Sequence, residues 1–327
     1  MDRDMKPGNV TGNVETRSIH KQIKTAKRVK KTGAGDFCAV FASSCVYQQG
    51  KCRHFSVYDI LDRTLQTAVD QAAVAGMEMK ETDLQILLPM ETPEDTLRRL
   101  VRRMDENCAK AGLPLGQVNA RVCPGVSEVL LQITIGGVCR SSFAVAGRPE
   151  EQDLIVAGFC GAEGSMLLAY EKEEQLRTRY PVRMIQAAQK LTEELNWIPE
   201  AATAVLSNHC LGLTAGEGGI FKALWNLAEE TGVGLSVNLK ALPVRQETIE
   251  ICNFLDVNPY ELLSGGTLVM LSKDGPAIVE TLGEKGIAAA VVGHTVQGHD
   301  RMIVNEEETR YLEPGRPDEL YRAFAPV

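Results

Sequence analysis

Glycine clusters lie just before three helical segments of the sequence, where they could bind phosphate. They are Gly33-x-Gly35, Gly161-x-x-Gly164 and Gly216-x-Gly218-Gly219. A helix N-terminus beside glycines presents backbone N–H groups and partial positive charge, which suit an anion. None of the clusters continues into the G-K-[ST] of a Walker loop or forms the full G-x-G-x-x-G dinucleotide fingerprint. Each cluster is therefore either a tight turn or a phosphate site.

Carboxylates that could hold Mg²⁺ are few. Asp36 follows the first glycine cluster, Asp70 lies on an otherwise apolar helix face, and Glu217 lies inside the third cluster. Such acids are either boundary residues of a helix or ligands of a metal ion that is also held by substrate phosphates. The sequence contains no G-x-S-x-G motif and no defensible Cys–His pair, so no catalytic residue is assigned.

The cysteine and histidine patterns favour neither a metal site nor a disulfide framework. The chain has nine cysteines, an odd number, without a C-x-x-C pair, and five histidines without H-x-x-x-H spacing. Most cysteines are expected to be reduced, buried and structural.

Charge is unevenly distributed along the chain. The net charge is −8, yet residues 1–35 carry nine Lys/Arg and three acids. This basic leader is either a solvated helix face or a contact for an anion such as a nucleotide phosphate. Aromatic residues make up 5% and do not alternate with basic ones, which argues against nucleic-acid binding. No bilayer-spanning run or signal peptide is recognised, so we expect no membrane association and a cytoplasmic location.

Strand and helix patterns alternate along the whole chain, which indicates α/β or α+β layering. We expect two domains, residues 1–147 and 148–327, because 327 residues exceed one typical core and Gly147–Glu150 is polar and turn-forming. The main predicted helices are Tyr58–Gly76, a helix that begins at Thr92-Pro93 and ends near Gly112, and Ile220–Glu230. Predicted strands of the first domain include Leu84–Pro89, Val118–Cys123 and Ser127–Val145.

The second half resembles one superfamily closely. Glu217–Glu229 resembles its E-G-G-[IL]-x-x-A-L-x-E-[LM]-A-E helix, and Leu263-Ser264-Gly265-Gly266-Thr267 and Ala290–His294 match further motifs. This superfamily contains aminoimidazole ribonucleotide (AIR) synthase, selenophosphate synthetase and the hydrogenase-maturation protein HypE. Gly35–Ala39 and Leu87-Leu88-Pro89 align in order with the AIR synthase-related, HypE-like subgroup.

The resemblance implies a PurM-like two-domain fold. Its N-terminal α/β sheet domain pairs with a second subunit in a homodimer, and its C-terminal domain is α+β. The long apolar strand Ser127–Val145 also needs cover, which favours a dimer. Family members bind ATP between the domains and Mg²⁺ through acids of the first domain. The implied cofactor-binding residues are Asp36, Asp70, Arg121, Gly216, Glu217, Gly218 and Gly219, of which Asp36 and Asp70 are the implied metal ligands.

Several motifs depart from the family pattern. G-[DE]-D-[AC]-A keeps one acid, Asp36, next to Phe37, and Arg121 replaces the acid of G-G-H-T-E-V. The H-D-x-T-E-G-G loop loses its His and Asp, and the last cysteine is Cys252, so the C-terminal thiol of HypE is missing. Phosphoryl transfer depends on positioning and on metal neutralisation of charge, so these losses weaken it.

Two functions remain open from the sequence. The first is a degenerate HypE-like member, a dimeric binding or scaffold protein that binds nucleotide or another small anion weakly and can meet a maturation partner protein. The second is an ATP-dependent enzyme that phosphorylates an amide- or acyl-type oxygen, as HypE and AIR synthase do. On the first hypothesis, binding of ATP and Mg²⁺ is weak or lost.

Overall fold

The computed structural model describes residues 36–48, 55–139, 152–191, 196–206, 211–306 and 308–324. The described residues divide into two compact units, residues 36–139 and residues 152–324. The basic leader and the predicted boundary at residues 147 and 148 lie outside the described residues, and that boundary stays a prediction.

The N-terminal unit is a four-stranded sheet with helices on one face. The strand order is β1-β4-β2-β3, with β2 and β3 parallel and the other pairs antiparallel. The elements of this unit are β1 (Asp36–Ser43), α1 (Cys45–Gln48), α2 (Val57–Val74), β2 (Met77–Leu88), α3 (Glu94–Lys110), β3 (Leu115–Val122) and β4 (Leu130–Cys139).

Helix α2 forms where the apolar spacing predicts it. The Ser56 side chain accepts from the Asp59 N–H, and the Asp59 carboxylate accepts from the Ser56 N–H at 2.9 Å, which completes a capping box. Leu61, Leu65 and Ala68 recur at i, i+4 and i+7 and are buried. Because these residues share one face, the helix packs on strands β1, β4 and β2.

The opposite face of this sheet is open within the described part of the unit. Side chains alternate along each strand, so the residues that do not face α2 point to this second face. Phe41 on β1 is 60% exposed; it pairs with Thr134, which pairs with Asp83. All of β3 except its first residue is exposed. We call this surface the open sheet face.

The C-terminal unit is a seven-stranded sheet in the order β11-β10-β7-β9-β5-β8-β6. Only β10 and β7 are parallel among the described pairs. Its elements are β5 (Asp153–Ala157), α4 (Ala162–Glu171), α5 (Glu173–Leu176), α6 (Val182–Gln189), α7 (Ile198–Leu206), β6 (Leu211–Thr214), α8 (Gly219–Thr231), β7 (Gly234–Asn238), α9 (Gln246–Leu255), β8 (Leu268–Ser272), α10 (Gly275–Glu284), β9 (Ala289–Val296), β10 (Arg301–Asn305), β11 (Glu308–Tyr311) and α11 (Glu319–Ala323).

One apolar core holds this second sheet and helix α8 together. Leu224 and Leu227 of α8 are fully buried against Val156, Leu235 and Val269 of three strands. Because this core fixes α8, it also fixes the glycine-rich turn that leads into the helix. No helix among the described residues is long and apolar enough to cross a bilayer.

Some element boundaries differ from the sequence-based expectation. Strand β2 begins at Met77, seven residues before the predicted start, and β4 ends the described segment at Cys139. Pro93, not Thr92, is the N-cap residue of α3 and makes no side-chain capping bond. Strands β6, β10 and β11 were not predicted.

Candidate functional site

The third glycine cluster forms the turn between β6 and α8, which we call the glycine loop (residues 215–219). Gly218 is the N-cap of α8 and has φ +86°, in the left-handed region that favours glycine. A Cβ on Gly218 would lie 2.5 Å from Cδ of Lys222. The fold therefore requires glycine here for two reasons, the backbone conformation and the close approach of the lysine stem.

The N–H groups at the start of α8 already have acceptors. Gly218 donates to the Asp318 carboxylate at 2.7 Å, and Gly219 donates to the Gly216 carbonyl at 3.0 Å. Phe221 donates to the Tyr260 carbonyl at 3.1 Å. A helix N-terminus offers N–H donors to an acceptor, and here the acceptor at Gly218 is a carboxyl group of the chain itself.

Asp318 is a candidate site residue that the sequence reasoning did not assign to the site. It is 2% exposed and also accepts from the Leu320 N–H at 2.9 Å, as the N-cap of α11. Burial raises the pKa of Asp318 to about 7, although its backbone hydrogen bonds oppose the rise. The only local signal is a capping aspartate before a short helix, because its partner Gly218 lies 100 residues earlier.

Glu217, another predicted site residue, also faces the C-terminal segment. Its carboxylate accepts from the Tyr321 hydroxyl at 3.3 Å. Asp318 and Tyr321 therefore tie the segment around α11 to the glycine loop at two adjacent positions. Any phosphate that used the Gly218 N–H would have to displace Asp318.

In the N-terminal unit, the two predicted metal ligands lie towards the same end of the sheet. Asp36 pairs with Cys139 of β4, which also pairs with Met77 just after α2. Asp70 lies in the last two turns of α2 and is 5% exposed. Its carboxylate accepts from Nε2 of Gln66 at 2.7 Å. Asp70 is thus a buried, hydrogen-bonded carboxylate, and its role as a metal ligand stays a prediction.

Arg121 is far from these two acids within one chain. It lies on the edge strand β3 and pairs with Leu87, which pairs with Leu130 at the start of β4. Asp36 pairs with the other end of β4. This strand has 10 residues, so its two ends lie about 30 Å apart at about 3.4 Å per residue. Within one chain, Arg121 and Asp36 therefore lie towards opposite ends of this sheet.

The two buried thiols of the C-terminal unit, Cys160 and Cys252, are not nucleophiles at neutral pH. Cys45, Cys108, Cys123, Cys160 and Cys252 are free. Burial raises the pKa of Cys160 and of Cys252 to about 12, so both are protonated at neutral pH. Cys38 on β1 is disulfide-bonded, which the sequence did not predict.

Residues 150–305 match the family described as AIR synthase related protein, C-terminal domain. A putative hydrogenase expression/formation protein of Methanocaldococcus jannaschii is 23% identical over 75% of this chain and 73% of its own length. Carbamoyl dehydratase HypE of Rhodobacter capsulatus is 26% identical over 71% of this chain and 68% of its own. Residues 150–305 therefore form an AIR synthase-related C-terminal domain, and the chain is similar to HypE proteins along most of its length. The predicted recognition is therefore confirmed.

Solved HypE structures share the fold of this HypE-like chain. Escherichia coli HypE superposes with a TM-score of 0.72 at 15% identity and covers 95% of this chain and 99% of its own. A HypE structure in complex with ATP has a TM-score of 0.65 and 16% identity, and the match covers 97% of this chain and 98% of that one. HypE from a HypE–HypF complex has a TM-score of 0.68 and 15% identity, and the match covers 92% of this chain and 99% of that one. The predicted PurM-like, mixed α/β fold class is confirmed.

Proposed function

We propose that this HypE-like chain is a dimeric binding protein of hydrogenase maturation that binds nucleotide or another small anion weakly. The observation that carries the proposal is the Asp318 carboxylate on the Gly218 N–H at 2.7 Å. The Asp318 carboxyl group at the start of α8 competes with phosphate for the same N–H donor. The glycine loop thus fits a nucleotide phosphate poorly, and no phosphoryl-transfer step is derived for it.

The proposed partner is another maturation protein. The motivation is the fold neighbour that was solved as a HypE–HypF complex, together with relatives named as hydrogenase expression/formation proteins. A chain that keeps this fold while its loop is closed by Asp318 can still present the family's surfaces to a partner. On this proposal the function is recognition, and any bound nucleotide is a ligand rather than a substrate.

The alternative is an ATP-dependent enzyme. Asp70 favours it, because a buried carboxylate held by Gln66 is positioned rather than free to move. The fold neighbour that was solved with ATP also favours it. The two proposals differ in whether Mg²⁺-dependent turnover exists.

The proposal predicts no Mg²⁺-dependent ATP hydrolysis above background by the purified chain. Asp70→Asn should leave that background unchanged, as should Asp105→Asn at an exposed position of α3. A HypE relative assayed in parallel by phosphate release provides the positive control. Robust hydrolysis that is lost in Asp70→Asn but kept in Asp105→Asn would establish the enzyme instead.

We also propose that the open sheet face pairs with a second copy of the chain. Phe41 lies on this face at 60% exposure, and pairing with a second copy would remove its apolar ring from water. Phe41→Asp should therefore shift the chain from a dimer to a 35.7 kDa monomer at micromolar concentration in sedimentation. Val182→Asp, at an exposed apolar position of the C-terminal unit, is the matched control. A parent chain that sediments as a monomer excludes the dimer.

A further inference from the structure

A cavity of about 340 Å³ opens in the C-terminal unit beside the first turns of α8. It lies between this helix, the β10–β11 hairpin and the segment that follows the hairpin; we call it the hairpin pocket. Its volume is at the lower end of the range for small-molecule sites, about 300–1,000 Å³. Its lining includes Phe221, Lys222, Glu261, Ile303, Arg310 and Arg316.

The pocket has an excess of positive charge. Arg316 is neutralised by an ion pair with Glu313. Lys222 and Arg310 form no ion pair with a carboxylate among the residues that the structure describes. Burial raises the pKa of Glu261, the remaining acid, while Arg316 and Arg310 lower it. The lining thus carries three cationic side chains, Lys222, Arg310 and Arg316, and two acidic ones, Glu261 and Glu313. The balance favours a ligand with a single negative charge.

The lining of the pocket includes two apolar side chains, Phe221 and Ile303. The Phe221 ring stacks on Tyr260 with 5.2 Å between centroids and an interplanar angle of 18°. Ile303 is 2% exposed and lies beside it in the lining. The Arg310 guanidinium lies 5.8 Å from the centroid of Phe221, so a cation borders the aromatic surface directly.

Two glycines leave room for the Lys222 stem. A Cβ on Gly218 would lie 2.5 Å from Lys222 Cδ, and a Cβ on Gly315 would lie 2.7 Å from Lys222 Cγ. The stem is thus confined between two chain segments that are far apart in sequence. A confined lysine loses less conformational freedom on binding than a free surface lysine does.

We propose that the hairpin pocket binds a small organic monoanion, a carboxylate on a flat apolar body. Lys222 and Arg310 bind the carboxylate, and the body packs against Phe221 and Ile303. This binding uses side chains on the pocket wall rather than the N–H groups of the glycine loop. It therefore goes beyond the proposed function.

Calorimetric titration of the full chain with benzoate tests the proposal. We expect saturable binding with a dissociation constant on the order of 1 mM, as suits a ligand of this size. Lys222→Met keeps an apolar stem beside the two glycines and should weaken binding about tenfold, the effect of losing a charge-assisted hydrogen bond. Lys240→Met, at an exposed lysine of the same unit that pairs with Glu306, should leave it unchanged.

Ligand variants separate the two parts of the recognition. Benzamide lacks the charge, and acetate and inorganic phosphate lack the flat body, so all three should bind at least tenfold more weakly than benzoate. Arg310→Gln removes the second cation at an exposed side chain and should weaken benzoate binding severalfold. This variant keeps the test decisive even if Lys222→Met does not fold. No saturable benzoate binding, equal binding of acetate or phosphate, or unchanged affinity in the folded variants would overturn the proposal.

Discussion

Replacing Asp318 with alanine is expected to lower the free energy of unfolding by about 2–5 kcal/mol. The substitution leaves the Gly218 and Leu320 N–H groups buried without their acceptor, and each such group costs about 1–3 kcal/mol. Urea unfolding at pH 5.5 measures the effect best, because Asp318 is largely protonated there and the mutation removes little buried charge. The loss should appear mainly as a lower midpoint with a similar slope.

Asp300→Ala is the matched control for that experiment. Asp300 lies at an exposed position of the same unit, just before β10, and its side chain should contribute within about 0.5 kcal/mol. If Asp318→Ala costs no more than Asp300→Ala, then Asp318 does not hold the glycine loop. The competition with phosphate that we derive from it would then fail as well.

Stability is expected to fall as the pH rises from about 4 to about 7, through Asp318. Burial raises the pKa of Asp318 to about 7 in the folded chain, against 3.8 for the unfolded one. The folded state therefore keeps this proton when the unfolded state has released it. The stabilisation that this proton provides is fully present below the unfolded pKa of 3.8. It is lost as the pH rises to the folded pKa of about 7, and it amounts to at most about 4 kcal/mol.

Asp318→Asn isolates this contribution because the amide does not titrate. The free energy of unfolding of the parent chain minus that of the variant should decrease steadily between pH 4.5 and pH 8. Other carboxylates titrate in both proteins and cancel in the difference. A difference that stays constant or increases with pH would contradict a raised pKa for Asp318.

Much of the fold could be predicted from local patterns in the sequence. The boundaries of α2 and α8 follow from apolar spacing, a capping serine and flanking glycines, all of which act within one or two helical turns. Strand β2 was predicted too short because Lys80 and Glu81, near its start, are exposed and charged although the backbone still pairs. Strand β11 escaped prediction because all four of its residues are exposed.

The candidate site was less predictable because its contacts are long-range. The glycine loop was recognisable from its own residues, but no spacing rule connects Gly218 to Asp318. Arg121 could be aligned with a family motif, yet the alignment does not reveal that its strand lies at the edge of the sheet. Strand order and register decide which aligned residues meet, and both depend on the whole unit.

On the proposed function, the Asp318 carboxyl group occupies the place at the start of α8 where a phosphate would bind. Calorimetric titration with ATP, with and without Mg²⁺, tests it most directly. We expect a dissociation constant above about 0.1 mM, a binding free energy weaker than about 5.5 kcal/mol, that changes little with Mg²⁺. Low-micromolar binding of ATP that requires Mg²⁺ would contradict this account.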